Sequence, residues 1–162
     1  MNKEIITKPI FKLVGLHVVT NNTDEQNPDT AKIGPLINRY ISENVGAKIP
    51  HRENPGVLYS VYTDYDSDHQ GNYTYLIGEE VYSFEDVPSD LHCVIVPTSQ
   101  YQRFTTPAGK IPDVVIQAWQ SIWGMDNTNL GGARRYIADF EVYDHRAYDP
   151  GNAVADIYIG IK

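Results

Sequence analysis

One carboxylate stands among aromatic residues in a way that could do chemistry. In Arg135 to Tyr143 the even positions Tyr136, Ala138, Phe140 and Val142 are apolar or aromatic, so in a strand they share one face. Glu141 then points to the opposite face, with Ile137 below it and Tyr143 above. In the last segment Ala155, Ile157, Ile159 and Ile161 read as the buried face, which turns Tyr158 toward the side of Glu141. An acid framed by aromatic rings suits an organic cation. Coulomb attraction strengthens as water is excluded, and each Tyr or Trp ring adds roughly 0.5–2 kcal/mol of cation–π attraction. The plain competing reading is a Glu on a solvated strand face, paired for little energy with Arg135 or Lys162. Composition bears on the choice, because 12 Tyr stand against 4 Phe and 2 Trp. A ring with a hydroxyl suits half-wet pockets better than sealed cores, although strands favour aromatics for their own packing.

Other chemistry finds little footing. Gly109-Lys110 lacks the earlier glycine of a phosphate-binding loop. The histidines His17, His51, His69, His92 and His145 show no ligand spacing and Cys93 has no cysteine partner, so no metal and no cofactor is expected. No Gly-x-Ser-x-Gly elbow occurs, and no catalytic residue is assigned on pattern. A net charge of −8, with no basic run longer than Arg134-Arg135, argues against direct nucleic-acid binding. The single cysteine forbids an intrachain disulfide and fits a reducing compartment. Apolar runs such as Cys93–Val96 and Val114–Ile116 are too short to span a bilayer, and the start lacks the apolar block of a signal peptide. A cytoplasmic protein without membrane association is the expectation.

The elements that must position Glu141 can be read from periodicity. A chain of 162 residues is one domain. Ile33, Leu36, Ile37, Tyr40 and Ile41 form a helical stripe, with Asp29 and Thr30 as candidate caps, Pro35 in the first turn and Gly46 beyond the end. Val115, Ala118, Trp119, Ile122 and Trp123 form a second, between Pro112-Asp113 and Gly124. Strands are expected at 11–20, 57–65, 73–77, 91–96, 100–106, 135–143 and 153–161, and loops at 21–32 and 124–134. The element order repeats, and so do small echoes: Tyr65-Asp66 with Tyr143-Asp144, Gly71-Asn72 with Gly151-Asn152, Ile77-Gly78 with Ile159-Gly160. The expected architecture is α+β, with two pseudo-symmetric β-α-β-β repeats (about 5–90 and 91–162). They share an antiparallel sheet with both helices on one side and a ligand cleft between the repeats.

The chain also resembles a family. Tyr101-Gln-Arg-Phe104, Gly109, a helix bearing Trp119 and Trp123, the strand Asp139-Phe-Glu-Val-Tyr143 and the closing Ile157-Tyr-Ile159 are similar to the second half of the gyrase-inhibitor-like, or AraC-type, effector-binding domains. Phe11-Lys-Leu-Val-Gly15 and the Ile33 helix are similar to its first half. Many members of that family are fused to a DNA-binding helix-turn-helix; here both helices are used by the fold itself, so a stand-alone sensor or sequestering domain, of the integron-cassette kind, is expected. The resemblance implies a hydrophobic, often cationic small-molecule ligand bound by Glu141, with Tyr143 and Tyr158 as the aromatic lining and Trp119, Tyr59 and Tyr75 as further lining. Two alternatives accompany it. Some relatives hydrolyse strained electrophilic natural products, for which the same Glu would serve as base toward water. A gyrase-inhibitor-like role would instead use the acidic stretches Asp64–Asp68 and Glu79–Asp90 to bind a protein. A homodimer or a separate protein partner is compatible with either.

Overall fold

A computed structural model describes all of residues 1–162. Eight strands form one antiparallel sheet: β1 (Asn2–Lys8), β2 (Phe11–Thr20), β3 (Leu58–Thr63), β4 (Tyr73–Val81), β5 (His92–Val96), β6 (Ser99–Thr105), β7 (Arg134–Tyr143) and β8 (Asp156–Ile161). Their spatial order is β1-β6-β8-β7-β3-β4-β2-β5. Exchanging β1 with β5, β2 with β6, β3 with β7 and β4 with β8 turns that order into its own reverse. A pseudo-two-fold axis therefore passes between β3 and β7, and the expected duplication is visible in the strand pairing itself.

Lys8 faces Ser99 and Phe11 faces Val96 in one uninterrupted register. β1–β2 and β5–β6 thus act as two long strands paired along their length. Because β2 also pairs with β4, and β6 with β8, the sheet closes on itself. The face turned inward is sealed by strand residues alone, including Phe11, Leu13, Val61, Leu76, Tyr101 and Phe140. Phe140 stacks on Tyr158 at 4.5 Å between ring centres and meets Tyr101 edge-on at 5.1 Å. No helix is needed on that side.

The helices lie on the other face. α2 (Ile33–Ser42) packs Leu36 and Tyr40 onto Val14, Leu16, Tyr75 and Ile77. α3 (Asp113–Trp123) packs Val115, Ala118, Trp119 and Ile122 onto the β8 isoleucines. The middle of each stripe is buried as spacing indicates, but its last member, Ile41 in α2 and Trp123 in α3, is exposed at 68% and 59%, and α3 ends at Gly124. The start of α2 differs from expectation. Asp29 and Thr30 do not cap it; the carboxylate of Glu25 accepts from the Lys32 and Ile33 N–H groups at 2.8 and 3.1 Å. Glu25 itself belongs to a one-turn helix, α1 (Asn22–Glu25), in a segment expected to be loop, and α4 (Asn127–Leu130) likewise interrupts the second such segment. Side chains of Asn21 and Asp126 cap these turns, so the polar residues that suggested loops are the caps of short helices. β1 was not legible in the pattern, because it buries no residue and shows no alternating apolar face.

Candidate functional site

β3 and β7 flank the pseudo-symmetry axis, with Leu58 opposite Tyr143, Ser60 opposite Glu141 and Tyr62 opposite Asp139. Ser60 and Tyr62 therefore share the face of Glu141 and Asp139. Above these residues a cleft of about 210 Å³ opens between the helices. One wall carries Ile116, Trp119 and Trp123 of α3; the other carries Ile33 at the start of α2 with Tyr62 and Tyr73. Tyr65, His69 and Arg134 close one end.

Glu141 lies directly behind this wall. Only 5% of it is exposed. Trp119 Nε1 donates to Oε2 at 2.8 Å, Tyr62 O–H donates to the same oxygen at 3.2 Å, and Tyr143 O–H donates to Oε1. None of these donors carries a charge, and Glu141 forms no ion pair. Burial pushes its carboxyl above the usual range, while the hydrogen bonds from Tyr143, Trp119 and Tyr62 pull it back. Burial and then the negative charge of Glu141 hold the hydroxyls of Tyr62 and Tyr143 protonated far above their ordinary range. A carboxylate is thus held inside an aromatic shell with its hydrogen bonds satisfied and its charge uncompensated.

Two residues along the same strand face, Asp139 is fully buried under different conditions. Its Oδ2 accepts from Arg134 Nη2 at 2.5 Å and Tyr65 O–H at 2.6 Å, and its Oδ1 from the Gly160 N–H at 2.9 Å. Here the counter-charge is built in.

Of the residues singled out from sequence, Glu141, Tyr143, Trp119 and Tyr75 gather on the helix-bearing side. Tyr75 stands edge-on to Tyr62 at 5.4 Å and shares a 2.7 Å hydrogen bond with Ser60. Tyr59 and Tyr158 are a correction. Tyr158 stacks on Phe140, and Tyr59 packs on Phe11 and Phe140 with its hydroxyl bonded to Glu80, so both face the enclosed core. The reason is that both faces of the closed sheet are buried. Apolar residues on β7 face inward, whereas the alternating isoleucines of β8 face the helices, with Ile157 opposite Glu141. Tyr136 also leaves the face it was expected to share with Ala138. A register break between Arg134 and Asp139, with Tyr136 in the left-handed region at φ 53°, turns it toward Tyr65 and Arg134. Tyr62, Tyr65, Tyr73, Trp123 and Arg134 were not assigned to the site from sequence, and the echoes between the repeats differ in offset and do not lead to Tyr62. No cluster of three His, Cys, Asp or Glu is placed to hold a metal ion. No helix is long and apolar enough to cross a membrane.

Known proteins share this arrangement of elements. An integron cassette protein from the mobile metagenome of Vibrio cholerae is 28% identical and superposes with a TM-score of 0.78, over 99% of this chain and 95% of that one. SAV2435, whose structure was solved bound to tetraphenylphosphonium, is 19% identical with a TM-score of 0.78, over 100% of this chain and 94% of that one, a likeness of fold. YobU of Bacillus subtilis (strain 168), named as a candidate transcriptional regulator, is 28% identical over 152 residues, 93% of this chain and 92% of its own length. Residues 4–161 match the model of Cass2, the integron-associated effector binding proteins, and the chain belongs to that family.

Proposed function

We propose that this effector-binding domain takes a small hydrophobic organic cation into the cleft between α2 and α3, and that Glu141 supplies the selectivity for charge. The observation that carries this reading is a buried carboxylate with three neutral donors and no cation of its own. Ionised, it penalises the empty site, and a cation resting on Trp119 and Tyr62 relieves that penalty. Two of the three rings that bond Glu141, Trp119 and Tyr62, line the cleft, so its charge reaches the ligand through polarised aromatic groups with little intervening water. That SAV2435, a protein of the same fold, was solved with a lipophilic cation supports the same ligand class here.

Hydrolysis is the weaker reading. A base needs a water within hydrogen-bond reach, and the contacts of Glu141 go to Tyr143, Trp119 and Tyr62 while Glu141 itself stays out of the cleft wall. Trp119 and Trp123 are in the wall and provide the assay. Their fluorescence is expected to change saturably on titration with tetraphenylphosphonium or phenyltrimethylammonium and not with benzenesulfonate. A panel of lipophilic cations that all fail to saturate the signal overturns the reading.

A further inference from the structure

Arg134 is an unexpected residue for a cation site. It lines the same cleft, at the end beside Tyr65 and His69, and its charge opposes the ligand proposed above. Its pairing with Asp139 explains part of its presence. That pairing engages Nη2, however, and leaves Nε buried without any hydrogen-bond partner. The local backbone is also arranged around it. β7 breaks register between Arg134 and Asp139, and Tyr136 takes a left-handed conformation that a bulky aromatic residue rarely adopts. The result places the guanidinium 4.4 Å from the Tyr136 ring centre, braced on one side by the ring and on another by Asp139. Neutralising Asp139 alone requires neither the ring nor a donor left idle, and backbone outliers of this kind concentrate where a side chain is held for a ligand.

We infer that Arg134 forms a second subsite in the cleft that receives a carboxylate of the ligand, so that the preferred ligand is an aromatic zwitterion rather than a simple lipophilic cation. The inference rests on the cation site proposed above and adds a second requirement to it. Its geometry follows from the strand. Asp139, which holds Arg134, and Glu141 are two residues apart on one face, so the strand positions that anchor the two charges lie about 7 Å apart along β7. An aromatic ring bearing an ammonium group and a meta carboxylate holds its two charges at a comparable separation, which the reach of the Arg134 side chain accommodates.

The discriminating probes are phenyltrimethylammonium and its 3-carboxylate, measured by calorimetry at pH 7.5 and low salt. The other acids at the cleft, Glu25 in its wall and Glu141 behind it, make an added carboxylate unfavourable unless Arg134 receives it. The wild-type protein is expected to bind the carboxylate roughly fivefold or more tightly than the parent cation. The double variant Arg134→Gln/Asp139→Asn, which removes the ion pair without stranding either charge, is expected to reverse that order. Arg134→Lys, which keeps a charge but loses the planar fork, is expected to fall between them, and it serves if the double variant does not fold. Weaker binding of the carboxylate by the wild type, or an unchanged ratio in the variants, overturns the subsite. If phenyltrimethylammonium binds and Glu141→Gln weakens it while Arg134 variants leave the ratio intact, the cation site stands alone. If neither probe binds, both proposals fall.

Discussion

Asp139 and Glu141 are two carboxylates on the same face of one strand, both withdrawn from water, and the chain treats them differently. Asp139 receives a guanidinium, a phenol and a backbone N–H. Glu141 receives two phenols and an indole N–H and no positive charge. A buried charge is tolerated when paired and hydrogen-bonded, and an unpaired one is costly. The pair at Asp139 is therefore complete within the chain, whereas Glu141 is satisfied in hydrogen bonds and unsatisfied in charge. The contrast separates a carboxylate that serves the architecture from one that awaits a partner from outside.

The largest expected effect breaks the complete site. Arg134→Gln leaves Asp139 ionised, buried and without its counter-charge, which should destabilise the fold by about 3–5 kcal/mol in urea unfolding. Asp139→Asn should fall in the same range, and the double variant should recover much of the loss because neither charge is stranded. Glu141→Gln, by contrast, is expected to change stability by no more than about 1 kcal/mol at pH 7, since it removes a charge that no cation balances. If Glu141→Gln unfolds the protein as readily as Arg134→Gln, the two carboxylates are alike and the comparison fails.

Tyr158 sharpens the comparison from the other face of the sheet. Tyr158→Ala removes a ring stacked on Phe140 in the enclosed core, so stability should fall by about 2–4 kcal/mol while cation affinity stays within twofold of wild type. Tyr62→Phe keeps the ring in the cleft and removes one donor from Glu141, so it should leave stability nearly intact and raise the Glu141 carboxyl further. A large loss of affinity in Tyr158→Ala would place the ligand on the enclosed face instead.

How much of this was legible in the sequence differs between fold and site. The helical stripes at Ile33 and Val115 and most strands follow the hydrophobic period, because each element buries a single well-marked face. Glu141 was legible for the same reason, as a polar residue where an alternating strand has none on its other face. Tyr158 was misplaced because alternation says which residues share a face but not which face meets the helices, and Tyr59, named only through the resemblance, lies on the same enclosed side. In a sheet buried on both sides, that choice is made by closure between β1–β2 and β5–β6, a long-range pairing with no local signal. Arg134 was illegible because a register break and one left-handed residue turn it into the cleft.

Proton linkage gives a smaller effect with a definite sign. Burial raises the Glu141 carboxyl in the folded protein, so its contribution to stability is present below the ordinary carboxylate range and is lost as pH rises through the raised value. A bound cation favours the ionised form, so cation affinity should rise as pH climbs from the ordinary carboxylate range through the raised value. Glu141→Gln should flatten the dependence. Retention of the full slope in Glu141→Gln assigns it to another group.

The most direct test of the central claim is a two-by-two titration, wild type and Glu141→Gln each against phenyltrimethylammonium and its neutral isostere tert-butylbenzene, at pH 7.5. Charge reading by Glu141 requires that the substitution weaken the cation by at least about 1.4 kcal/mol, a tenfold change, and leave the neutral ligand within twofold. Equal loss for both ligands would mean that Glu141 shapes the cleft by holding Trp119 and Tyr62 in place and does not read charge.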